Sequence, residues 1–180
     1  MKRIILHWSA GGHNANGTDK RHYHEIIEGD GNVVAGNHPI SANRAPIRDG
    51  YAAHTLNLNT DSIGLAVAAM RGSRERPFDP GPSPVTEAQV GGLCERAAHW
   101  CKVYGIPVTR ATVLTHAEVQ PTLGVRQRPR WDITWLPGMS APGDPIEVGD
   151  NLRERIKARL EPPAPPVHPF IAFLRRIFGG

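Results

Sequence analysis

Residues 86–104 (TEAQVGGLCERAAHWCKVY) constrain this chain more than any other stretch. Val90, Leu93, Cys94, Ala97, Cys101 and Tyr104 recur at spacings of three and four, which collects apolar groups on one face of a helix. Thr86 and Gln89 make a capping box at the start, and Gly105 with Pro107 stops the helix. The stripe reads as core, not as a cofactor contact. Cys94 and Cys101 lie two turns apart on it, about 10 Å along the axis and beyond disulfide reach, so both are expected to be free buried thiols.

Short apolar runs surround this helix. Ile4-Ile5-Leu6 reads as a buried strand ending at His7, and Gly11 to Lys20 as Gly- and Asn-rich loop. Tyr23 to Glu28 and Val33 to Ala35 flank an Asp30-Gly31 turn and predict a hairpin. Residues 37–61 read as extended loop carrying His38 and His54, Ser62 to Met70 as a central strand, and Arg71 to Pro84 as loop. Ala111 to Thr115 predicts a strand and Asn151 to Leu160 a basic amphipathic helix. Strand, hairpin, strand, helix, strand, helix is the order of an α/β domain built on a mixed central β-sheet flanked by helices.

The 180 residues are enough for one such domain and a buried core without disulfide staples. Hydrophobic residues at 39% exclude general disorder, and 19 glycines with 17 prolines point to long ordered loops. The formal charge of +4 suits either plain solubility or an anionic partner such as a cell wall, nucleic acid or membrane. No aromatic RNA-binding signature or recognition-helix pattern is present, so nucleic acid is not expected. The apolar run at the start is three residues, too short for a signal-peptide core, and cytoplasmic synthesis is expected. Composition divides the chain into a folded domain over 1–160, a stiff proline-rich spacer over 161–167 and a basic amphipathic tail over 168–180. That tail either folds back onto the domain or docks on an anionic membrane surface.

Nine histidines are more than average, and several fall in loops or at strand ends. No local metal signature such as H-E-x-x-H occurs. His116 closes a strand before a polar turn, and Asp132 follows 16 positions later inside Arg130-Trp131-Asp132. With His7 they could supply the three ligands of a catalytic zinc that keeps one position open, provided the three loops converge.

Five segments, in order over about residues 3–138, resemble the N-acetylmuramoyl-L-alanine amidases related to phage lysozyme-type amidases and animal peptidoglycan-recognition proteins. They are Ile4-Ile5-Leu6-His7-Trp8-Ser9-Ala10; Tyr23-His24-Glu25-Ile26-Ile27 with Asp30-Gly31 and Val34-Ala35-Gly36; Asn59-Thr60-Asp61-Ser62-Ile63-Gly64-Leu65; Thr115-His116-Ala117-Glu118-Val119; and Arg130-Trp131-Asp132. The resemblance implies that family's mixed sheet and hydrolysis of the amide between N-acetylmuramic acid and L-alanine in peptidoglycan. It implies Zn²⁺ on His7, His116 and Asp132, with Tyr23 beside the reacting water. Arg130 stands where many relatives carry lysine; it can stabilise an oxyanion as a fixed cation but cannot donate a proton at working pH. Glu25 and Glu118 either assist or make structural hydrogen bonds, and His54 either faces substrate or bonds to backbone. A phage or prophage endolysin of a Gram-negative host, acting as a monomer on the periplasmic wall, is the expected setting. A noncatalytic peptidoglycan-binding module and a secretion-system effector are its rivals.

Overall fold

The computed structural model describes residues 1–128 and 130–161. The tail over 168–180 and the spacer beyond Glu161 lie outside the described residues. Strands β1 (Arg3–Trp8), β2 (Glu25–Ile27), β3 (Val33–Ala35), β4 (Ser62–Val67) and β5 (Val113–Thr115) form one sheet in the order β3-β2-β4-β1-β5. β1 runs parallel to both β4 and β5, β2 parallel to β4, and β3 antiparallel to β2, so the sheet is mixed, as the order of elements predicts.

Period-two alternation assigns the two faces. Ile4, Leu6 and Trp8 of β1, Ile63, Leu65 and Val67 of β4, Ile27 and Val113 share one apolar core with helices α2 (Glu87–Tyr104) and α4 (Pro145–Leu160). Residues between them face the other way. Ile5 and Leu114 join Leu58 and Val119 in a smaller cluster under the loops, and His7 lies farther along that face.

α2 has the capping box expected at Thr86 and Gln89, a left-handed Gly105 at its end, and a buried stripe from Val90 to Cys101. Gln89 also donates to the carbonyls of Ile27 and Ala68, tying the helix start to the sheet. Cys94 and Cys101 are free and buried, and burial pushes both thiols up to about 11.

Two expectations are corrected. The segment over 11–20 is not all loop: α1 (Gly17–His22) forms there, started by a reciprocal Asn16–Asp19 capping box. It has no apolar stripe, and only Asp19 is buried, so hydrophobic periodicity could not show it. α4 begins at Pro145 rather than Asn151, because the Asp144 carboxylate accepts from the Ile146 and Glu147 amides and Pro145 sits in the first turn, where its missing N–H costs nothing. A short helix α3 (Val119–Leu123) follows β5 as well.

The long 37–61 connection is pinned to the sheet by a buried polar network. The Gly64 amide donates to His24 Nδ1, so the proton of His24 is on Nε2, which donates to Asn43 Oδ1. Asn43 in turn bonds both backbone groups of Ala52 and the carbonyl of Asn59. Burial lowers His24 to about 4, which keeps it neutral.

Candidate metal centre and its groove

β1, β4 and β5 end at the same edge, and in open α/β sheets ligand sites form beyond the carboxyl ends of parallel strands. His7 is the fifth residue of β1, on the face away from α2. Leu6 is in register with Thr115, so the chain leaves β5 level with His7, and His116 opens a tight 3₁₀ turn over His116–Glu118. The rings of His7 and His116 lie 4.7 Å apart. Asp132 arrives on a loop whose backbone is clamped beside His116, its carbonyl accepting from the Ala117 amide at 2.6 Å. Trp131 anchors the same loop edge-on to Trp8.

The turn carrying His116 is held from beneath. Glu118 accepts from the Thr115 amide and pairs with Arg153 of α4, both side chains being almost wholly buried. Gly149 makes room for this pair, since a Cβ there would lie 2.0 Å from Glu118 Oε2. Glu25 is likewise engaged, by Arg96 and the Trp100 indole of α2. Both glutamates therefore make structural hydrogen bonds.

Asp132 Oδ2 lies 3.1 Å from His7 Nδ1 and 3.2 Å from His116 Nδ1, and one donor atom from each of the three residues falls within 4.8 Å of the others. Three segments separated by up to 125 positions thus converge as the zinc-ligand expectation requires. Burial, outweighing the pull of Asp132, lowers His7 to about 4, so its ring is neutral at neutral pH. Burial alone would raise Asp132, but beside the two imidazoles it stays low, at about 2, and it is ionised.

The outer nitrogens are also occupied. His116 Nε2 is 3.1 Å from Gln127 Oε1, and the Gln127 amide group donates to the carbonyls of Leu56 and Val125. With its NH₂ spent on carbonyls, Gln127 offers His116 an acceptor, so the His116 proton is on Nε2 and the Nδ1 lone pair faces Asp132. A lone pair and a carboxylate 3.2 Å apart repel unless a cation lies between them. His7 Nε2 faces His54 Nδ1 at 3.2 Å and Thr55 Oγ1 at 3.4 Å, both able to take its proton. Two neutral imidazoles and a carboxylate, each oriented from behind, make a donor set suited to a metal ion.

Tyr23 follows α1, its ring 5.1 Å from His7; burial raises its phenol well above the usual range. Arg130 is exposed at the mouth. His54 comes from the long 37–61 loop and is buried on the floor of the groove, packed so closely on β4 that a Cβ at Gly64 would lie 2.5 Å from its ring. Two lobes of a groove meet over the ligands and share His54, His116 and Arg130. One, of about 640 Å³, is walled by Tyr51, Leu56, Gln127 and Arg128; the other, of about 230 Å³, by Trp8, Tyr23 and Trp131. Among the described residues lining the larger lobe none is acidic. Gln127 and Thr55 escape sequence reasoning: neither belongs to a motif or a periodic run.

Residues 1–132, ending on the third of the converging ligands, match the family model for N-acetylmuramoyl-L-alanine amidase. No curated protein matches the chain. Among solved structures it is similar to the hydrolase AmiA of Staphylococcus aureus, at 16% identity and a TM-score of 0.57, with 88% of this chain and 72% of that one covered. It is also similar to the N-acetylmuramoyl-L-alanine amidase LysC of Clostridium intestinale URNW, at 19% identity and a TM-score of 0.47, covering 88% and 84%. The first of these likenesses bears on the fold.

Proposed function

The chain belongs to the N-acetylmuramoyl-L-alanine amidase family, and from that premise we propose that it is a zinc enzyme hydrolysing the amide between N-acetylmuramic acid and L-alanine in peptidoglycan. The observation that carries the reading is the convergence of His7, His116 and ionised Asp132, with the two imidazole protons directed outward. Zn–N and Zn–O bonds of 2.0–2.2 Å put tetrahedral ligand atoms roughly 3.3 Å apart. The 3.1 and 3.2 Å separations at Asp132 suit such an ion with little movement.

Zinc bound there would supply Lewis acidity, lowering the pKa of water toward neutrality and polarising the scissile carbonyl. The chain's own residues do the rest. His7 and His116 stay neutral and Asp132 contributes one negative charge, which leaves a site of net charge about +1 around a dication. Arg130 presents a permanent cation where the two lobes meet, in position to stabilise charge developing on the amide oxygen. Tyr23, its phenol protonated at working pH, holds an O–H donor in the smaller lobe, available to orient water or to pass a proton to the leaving alanine nitrogen. With Glu25 and Glu118 committed to Arg96 and Arg153, neither is free to act as base. Arg128 and Arg130 in a lobe without acidic lining suit the anionic stem peptide.

Purified sacculi should release stem peptides with a free N-terminal alanine, and a chelator should stop the release. Binding to sacculi without release would make the chain a noncatalytic module instead. Within the same reading the chain acts as an endolysin on the periplasmic wall. Cytoplasmic expression should then lyse Gram-negative cells only when the inner membrane is permeabilised.

A further inference from the structure

Gln127 has no part in the reaction just derived, yet every polar group of its side chain is used. Oε1 accepts from His116 Nε2 at 3.1 Å, and Nε2 donates to Leu56 O at 2.9 Å and Val125 O at 3.3 Å. Its backbone amide donates to Gln120 Oε1 of α3. One side chain therefore joins the turn carrying a metal ligand to the two loops, residues 53–60 and 124–128, that wall the larger lobe. A glutamate here would set a carboxylate oxygen against two carbonyl oxygens, which explains an amide at this position rather than the stronger acceptor.

Resting on the metal reading above, we infer that Gln127 is a positioning residue that fixes the His116 tautomer and couples metal retention to closure of the groove walls. With the His116 proton on Nε2, the Nδ1 lone pair is presented to the ion without a tautomer change. Because coupling between two equilibria is reciprocal, the ion must order the walls by as much as the ordered walls tighten the ion.

The experiment uses the full chain, zinc competition against a chromophoric chelator, visible spectra of the cobalt-substituted protein, and hydrogen exchange with and without metal. The wild type should bind one zinc, and loading should slow exchange over residues 53–60. Gln127→Met should raise the zinc dissociation constant about 10–100-fold. It should also shift the cobalt bands and make exchange over 53–60 independent of metal, while the metal-free melting temperature stays near that of the wild type. Gln127→Glu keeps an acceptor for His116 but loses the wall bonds. It should bind zinc less tightly than the wild type, by the lost wall coupling, but more tightly than Gln127→Met, and it should exchange as fast as Gln127→Met. A Gln127→Met variant with wild-type affinity and spectrum overturns the inference, as does a Gln127→Glu variant that binds as weakly as Gln127→Met. His116→Ala separates the levels: if it binds zinc as the wild type does, the metal reading itself fails and takes this inference with it.

Discussion

His7 and His116 offer chemically equal nitrogens, but the protein builds them in opposite ways. His7 belongs to a strand hydrogen-bonded on both sides, is completely buried, and backs onto the buried pair His54 and Thr55. His116 opens a three-residue turn after an edge strand and backs onto Gln127, in an otherwise exposed, arginine-rich loop. One ligand is an extension of the sheet and the other is held by bonds that loops and α4 contribute. The difference separates what the fold makes stiff from what the ion itself has to organise.

The largest expected effect puts both sides to the test. His7→Ala, His116→Ala and Asp132→Ala should each abolish hydrolysis of sacculi and bring metal content from one per chain to none. The metal-free proteins should then differ. Removing the fully buried His7 ring leaves a cavity and takes one of two partners from His54 Nδ1, costing on the order of 2 kcal/mol or more in urea unfolding. Removing His116, which is buried but lines the groove, should cost less, because the vacated space opens to water. Equal losses would erase the distinction between the two arms.

Next in size is the support under the weaker arm. Arg153→Met leaves the Glu118 carboxylate buried and uncompensated, a loss of about 3–5 kcal/mol. Zinc affinity should fall with it, because Glu118 holds the Thr115 amide at the base of the His116 turn. Full metal affinity in that variant would show that the turn needs no such anchor. Smaller again are the two walls of the reaction site. Tyr23→Phe and Arg130→Ala should slow turnover by about 10²–10³-fold with zinc retained. Arg130→Lys should keep most activity if the cation matters and the fork does not. Unchanged rates in Tyr23→Phe and Arg130→Ala would move the chemistry to another part of the groove.

The last test concerns pH and bears on the metal-free fold alone. His7 and His24 lie on the sheet side and have folded pKa values of about 4, lowered by burial from an ordinary 6.5. The unfolded chain binds these protons first as pH drops, so the metal-free fold should be at full strength above about 6.5 and weaken toward 4. Urea midpoints at pH 7, 5.5 and 4.5 measure this. A flat profile would mean that the buried rings titrate normally.

What the sequence disclosed follows the same division. β1, the Asp30-Gly31 hairpin and the capped, striped α2 are legible because local spacing encodes them. α1 and the first turns of α4 are capped by Asn16 and Asp144 in Gly- and Pro-rich surroundings, where periodicity carries no signal. The ligand trio is offered by residue type at strand ends and singled out by resemblance, since residues separated by 125 and 16 positions leave no local pattern. The outer partners Thr55 and Gln127 were invisible, because their role is defined only by what lies opposite them. His54 could be noticed as a histidine, but not as the floor beneath His7.

Gly64 gives that floor its height. On the loop face β4 presents Ser62, Gly64 and Ala66, a shallow tray in which the His54 ring rests directly on backbone, where a single methyl group would collide with it. On the opposite face a full layer of Ile63, Leu65 and Val67 separates the same strand from α2. The site is thus mounted on a short lever arm: small tilts of a distant side chain cannot be magnified into displacements of the His7 ring. Loops other than the one that carries His54 and Thr55 can then change length or composition without detuning that ligand, provided that the tray stays shallow. For a designer moving this centre to another parallel sheet, the residue to copy first has no side chain.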